Sequence, residues 1–243
     1  MWNWLLLPHL AWALPIDFTA DAASDVSVEI AVSCGMVVVS GGDREAVRVR
    51  GLTDPEVDVA FTGVPHRLQI VARSPSDGCA QLRIDVPADA SVAMDVGSAN
   101  VHVDGLRGGL DVLGDSSDVV VLGAPRVTAI SVESGSVRLG ASSDRVIRAG
   151  PVDVRSVSGN VRISGSLVPS SRIQASSQSG SVEVWLPDDT DALLVMNTHS
   201  ATISSAFGPI WGRSVEQLVG HGGAEVILET VSGRIAVGDL AEE

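Results

Sequence analysis

A short corner recurs at a fixed place within alternating apolar runs, and it limits the fold of this chain more than any other feature. It is clearest between Ile130 and Val184, where Ser134-Gly135-Ser136-Val137, Ser158-Gly159-Asn160-Val161 and Ser179-Gly180-Ser181-Val182 each interrupt an alternation that then resumes. The Val or Ile after each corner serves as a reference: Val101, Val119, Val137, Val161, Val182, Ile203 and Ile235. Three residues earlier stands a serine every time, namely Ser98, Ser116, Ser134, Ser158, Ser179, Ser200 and Ser232. Two earlier the residue is small: Ala99, Ser117, Gly135, Gly159, Gly180, Ala201 and Gly233. Seven earlier it is apolar, and two later it is apolar everywhere except Ser205.

The references lie 18, 18, 24, 21, 21 and 32 residues apart. A register repeated near this length marks a stacked array, in which one unit cannot bury its apolar face alone. Within each unit apolar residues alternate with polar ones, which is the period of a strand, and no helical period runs at length. The expected fold is therefore all-β: a single-domain β-solenoid, β-helix-like, over residues 23–240 with coils of about 18–24 residues. Successive coils should hydrogen-bond at about 4.8 Å. The small residue would let the strand turn, and the serine hydroxyls would satisfy backbone groups as an internal ladder. Seven serines in register without a partnered His or Lys read as structural corners rather than nucleophiles.

Residues 1–13 carry no charged side chain and are mostly apolar. Too short for a span of about 20 residues, they suit the hydrophobic region of a secretory signal. Cleavage sites of the small-x-small kind occur at Ala11-Trp12-Ala13 and Ala20-Asp21-Ala22; the second gives a signal of residues 1–22. An exported protein of the periplasm or cell surface follows, with no membrane span after cleavage. The net charge of −14 disfavours nucleic acid as a partner, because such a surface repels phosphate.

Residues 24–90 repeat less cleanly, although Val37 and Leu82 fit as references and place Cys34 and Cys79 in the serine column. In an exported chain this pair suggests a disulfide. Yet 45 residues separate them. Two coils of stacking would hold the Cα atoms about 9–10 Å apart, beyond a bridging limit of about 7 Å. A disulfide and two free thiols both stay open. The wide spacing before Ile235 implies a lateral insertion at about 205–222, holding the scarce residues Phe207, Trp211 and His221. It reads either as a partner-binding element or as a hairpin covering one sheet.

The string Leu228-Glu229-Thr230-Val231-Ser232-Gly233-Arg234-Ile235, after a Gly-rich lead-in and the earlier Met196-Asn197-Thr198-His199-Ser200-Ala201-Thr202-Ile203, resembles the bacterial "putative adhesin" family of β-strand-repeat domains. The resemblance covers roughly residues 26–238. It implies a β-solenoid, exported or surface-attached, with no established reaction. Arg234 stands where that family commonly has an acid, and His199-Ser200-Ala201 replaces a Ser-Gly corner.

No catalytic constellation is legible. His66, His102, His199 and His221 lack metal-ligand spacing, and no cofactor or metal is expected. Asp188-Asp189-Thr190-Asp191 offers oxygens to Ca²⁺ but also reads as an ordinary turn. Arg138, Arg162, Asp153 and Arg155 face outward, as in a polysaccharide lyase or on any solvated sheet. These features point to a non-catalytic structural or adhesive module of the bacterial cell envelope, with an envelope or surface partner, protein or glycan. The alternatives are a carbohydrate-active β-helix enzyme and an envelope sensor.

Overall fold

The computed structural model describes residues 13–76, 78–123, 125–140 and 151–240. The apolar segment 1–12 of the expected signal lies outside them. The N-terminal third comprises β1 (Leu14–Asp21), β2 (Ser27–Gly42), β3 (Ala46–Thr53), β4 (Asp58–Val64), β5 (Arg67–Arg73), β6 (Ala80–Pro87) and β7 (Ser91–Asp104). Paired short strands follow: β8 (Gly109–Ser116) with β9 (Val119–Leu122), β10 (Val127–Ser134) with β11 (Val137–Gly140), and β12 (Val152–Ser158) with β13 (Val161–Ser164). The chain then forms β14 (Arg172–Ser177), β15 (Val182–Leu186), β16 (Ala192–Thr198), β17 (Ile203–Ser205), β18 (Ser214–Val219), β19 (Ala224–Thr230) and β20 (Ile235–Asp239). All belong to one sheet that does not close on itself.

Alternation decides which side chains are buried. In the unit β12–β13, Val154, Val161 and Ile163 point inward; Ala175, Val182 and Val184 repeat them in the next unit, and all join one apolar cluster. Each fully buried Val, Leu or Ile is worth about 1.5–3 kcal/mol. The register between units is parallel and matches the repeat: Ile130 pairs with Val112 on one side and Val154 on the other, and Val161 lies between Val137 and Val182. The sheet folds over at the corners, so each unit has an arm before and an arm after its corner. In β2 and β7 both arms belong to one unbroken strand of 16 and 14 residues.

The corner serines do stack, Ser134 between Ser116 and Ser158, but they form an outer row. Ser134 is half-buried and the other six are exposed. The hydroxyl of Ser179 donates to the Val157 carbonyl at 3.3 Å, that of Ser232 to Gln178 at 3.2 Å, and that of Ser200 to Val231 at 3.0 Å. Each thus grips the backbone of the neighbouring unit. The internal ladder sits two residues earlier, at Ser156, Ser177, Thr198 and Thr230, all buried. There the Ser177 hydroxyl donates to the Gly159 carbonyl at 2.9 Å and accepts the Gly180 N–H at 2.9 Å.

The small residue is required for more than one reason. Gly135 has φ 125°, a left-handed conformation that favours glycine. Gly135 is also closely approached, by the Ser117 carbonyl, and in Gly159, Gly180 and Gly233 close approach alone decides. A Cβ on any of them would collide with the carbonyl oxygen of the corner glycine in the adjacent unit, Gly135, Gly159 and Gly180 respectively.

Units do not stack in chain order at either end. Leu228 and Ile235 of β19–β20 pair with Ala175 and Val182, so this last segment is tucked between β14–β15 and β16–β17. Likewise β2 lies between β7 and the outermost pair β5–β6. Antiparallel strands finish the edges: β4 on β5, β3 on β6 and β1 on β3 at one end, and β18 on β16 at the other.

This order corrects the separation expected for the cysteines. Residues 46–64 leave the stack as the antiparallel strands β3 and β4, so no unit intervenes between β2 and β6. Cys34 and Cys79 are one step apart, with Cα atoms at 4.7 Å, and form a disulfide. The bond occupies the serine row where other steps have a hydroxyl. Strand β1 bears on the leader: Leu14–Asp21 pairs fully with β3, and Arg48 bonds Asp17 at 2.6 Å. Cleavage after Ala22 would remove it.

Candidate functional site, a groove along the stack

On the outer face of the first arms, the residue before the internal ladder differs from unit to unit. Register carries one row across six strands: Ser131 on β10, Arg155 on β12, Ser176 on β14, Glu229 on β19, Asn197 on β16 and Ser214 on β18. Every member is a hydrogen-bonding residue, and together they line a groove of about 620 Å³. Val157, Gln178, Val231 and His199, each two residues after a member of the row and at the edge of a corner, line the groove beside it. The two valines are 44% and 51% exposed, whereas most valines of the chain fill the core. A concave surface with convergent polar groups and apolar patches suits ligand binding.

Local bonds fix several of these side chains. The Ser214 hydroxyl donates to Asn197 Oδ1 at 2.7 Å. The Asn197 amide nitrogen carries two further N–H donors, which have no partner among the described residues. Arg213 donates through Nη1 to the His199 carbonyl at 2.9 Å, closing the groove at the β18 end. Arg155 donates to both carboxylate oxygens of Asp153, at 3.1 and 2.8 Å. That hydrogen bond and the charge on Asp153 raise the Arg155 guanidinium above its ordinary value, against the opposing effect of desolvation.

The 205–222 segment does not gather its three scarce residues. Phe207 is partly buried against the core, whereas Trp211 is 86% exposed, two residues before the groove-lining Arg213. His221 lies beyond the far end of β18, some six residues or roughly 20 Å of strand away. Its backbone has the structural role. The N–H groups of His221, Gly223 and Gly222 converge on the Asp191 carboxylate; desolvation pushes that carboxyl up, yet these bonds and the His221 charge outweigh it and hold it below the usual range. Asp191 is thereby committed to the loop. Its neighbours Pro187 and Thr190 close a turn through a 3.0–3.2 Å class bond, Thr190 N–H to Pro187 carbonyl at 3.1 Å.

The outward arginines separate as well. Arg138 and Arg162 are register neighbours on the second arms, and Arg162 lies over the Trp185 ring at 5.2 Å. They are on the other arm from Asp153 and Arg155. Sequence reasoning named Phe207, Trp211 and His221 but missed the row from Ser131 to Ser214. The signal was available as the position six before each reference, where Ser131, Arg155, Ser176, Asn197 and Glu229 stand.

No family model matches the sequence, and no curated protein matches it significantly. Among solved structures, the chain is similar to a "putative cell adhesion protein" from Clostridium sporogenes, with 10% identity over 93% of this chain and 100% of that one and a TM-score of 0.42. It is also similar to a "putative adhesin" from Bacteroides fragilis, at 11% identity, 92% and 97% coverage and a TM-score of 0.41.

Proposed function

We propose that this protein is an exported, non-catalytic β-solenoid of the bacterial cell envelope, which works by display: a stiff stack holds the groove toward a surface partner. The groove itself carries the reading. Six strands in unbroken register hold its polar row on the sheet, so the binding groups keep fixed spacings without a ligand. Its described lining has one carboxylate, Glu229, whereas glycoside hydrolysis commonly uses a pair. Binding is therefore favoured over turnover. The disulfide supports an oxidising compartment. The β1–β3 ladder supports signal cleavage after Ala13, which keeps β1, over cleavage after Ala22. No helix among the described residues is long and apolar enough to cross a membrane.

The test is expression of the full chain in a secreting bacterium, followed by N-terminal sequencing, thiol counting and attachment of protein-coated beads to cell surfaces. The expected result is a mature chain beginning at Leu14, no free thiol, and attachment reduced by Arg213→Ala. A cytosolic chain that keeps its leader and two free thiols overturns export. Release of new reducing ends or unsaturated products from a polysaccharide panel overturns the non-catalytic reading.

A further inference from the structure

The partner's chemistry can be read from the groove, if the display reading above holds. We propose that the row from Ser131 to Ser214 binds a neutral oligosaccharide lying along the stack, about one pyranose ring per strand, with Trp211 as a stacking platform beside the Arg213 end. Three observations carry this.

The first is spacing. The row places one hydrogen-bonding side chain on each of six adjacent strands, a step of about 4.8 Å. A pyranose chain advances by about that distance per sugar. An extended peptide advances about 3.3 Å per residue and falls out of step with the strands.

The second is the mixture of groups. Sugar rings present hydroxyls at the edge and C–H groups on the face. Beside the polar row, the exposed Val157 and Val231 alternate along the stack with Gln178 and His199, so every second ring would meet an apolar patch next to a polar side chain and the rings between them polar groups alone. Asn197, held by Ser214, offers its N–H donors to a hydroxyl oxygen. Trp211, 86% exposed, has a free aromatic surface of the kind that binds an amphipathic partner.

The third is charge. Arg155 and Arg213 oppose Glu229 within the groove, and Asp153 is bonded to Arg155; two positive and two negative groups cancel in a chain of net charge −14. A neutral ligand fits this patch. The same face nearer the N-terminus carries three acids, Glu29, Asp95 and Asp111, against one arginine in its lining, Arg73, with Glu29 paired to Arg67, and stays acidic.

Calorimetry on the disulfide-intact chain tests the proposal, with cellobiose, cellohexaose, chitohexaose and a mannohexaose as probes, and an extended neutral hexapeptide as competitor. At least one hexasaccharide should bind, at least tenfold more tightly than its disaccharide. Trp211→Ala and Asn197→Ala should each weaken it about tenfold, while Asp111→Asn changes nothing. No binding by any hexasaccharide, equal binding of disaccharide and hexasaccharide, unchanged affinity in both groove variants, or displacement by the peptide overturns the proposal. Bead attachment read in parallel separates the two claims. Attachment without oligosaccharide binding leaves display standing and removes the glycan; cleavage of the bound hexasaccharide removes display itself.

Discussion

At the N-terminal end of the stack the outermost pair, β5–β6, is tied to β2 by the Cys34–Cys79 bond; at the C-terminal end β16–β17 is joined to β19–β20 without a covalent link. Their edges differ too. Strands β4, β3 and β1 cover the first end, with Arg48–Asp17 and Arg50–Asp85 bonds across them, whereas β18 alone lies on β16. Both ends share the device of a tucked-in segment. What differs is the bond in the corner row: a disulfide at one end, Ser200 to the Val231 carbonyl at the other. The groove lies toward the end with the reversible link, in keeping with the tendency of binding regions to occupy the less locked parts of a fold.

The comparison can be broken at several strengths. The largest effect is expected at the glycine corners near the C-terminal end. Gly180→Val puts side-chain atoms where the Gly159 carbonyl stands, and urea unfolding should show a loss of at least about 3 kcal/mol or no soluble protein. Next, Cys34→Ser with Cys79→Ser should cost about 2–4 kcal/mol. Hydrogen exchange should quicken in β5 and β6 but not in β14 or β19; uniform acceleration would mean that the ends are not independent. Third, Thr230→Val removes a hydroxyl that donates to the Gly180 carbonyl at 3.2 Å and accepts the Gly233 N–H at 3.0 Å. Its expected cost is about 1–2 kcal/mol, confined to the C-terminal units.

The smallest effect concerns Asp191. Its carboxyl is held below the ordinary aspartate value of 3.8. Its contribution is therefore present above that value and is lost as pH falls through the lower folded-state value. Asp191→Asn should lower thermal stability at pH 7, and the gap to the parent protein should close in strong acid. A gap that persists at the lowest pH would point to geometry rather than charge.

Much of this was legible before any coordinates. Val137, Val161 and Val182 carry the register because alternation assigns each residue to one face, and burial punishes a slip. The serine row followed from the same spacing, although its exposure did not: Ser158 and Ser156 are alike in type, and only the turn between them decides which faces inward. The tucked segments were hidden for a different reason. Ile203 and Ile235 present the same pattern to Val182, so local sequence gives no preference between them. The cysteine separation failed with the same assumption, since 45 residues were counted as stack when 46–64 lie outside it. The groove row could be located six before each reference, but its residue type changes from Ser131 to Glu229, and a column without one constant residue does not stand out as the serine column does.

The tucked position of β19–β20 also sets an order of assembly. Every ladder partner of β16 and β17 comes later in the chain, on β18, β19 or β20. A chain emerging from the ribosome or a translocation pore cannot extend this end unit by unit; β16 has only β18 to pair with, and β17 nothing, until the segment that will separate them from β14–β15 has followed. Loss of residues beyond 223 would therefore strand two layers at once, and the groove with them.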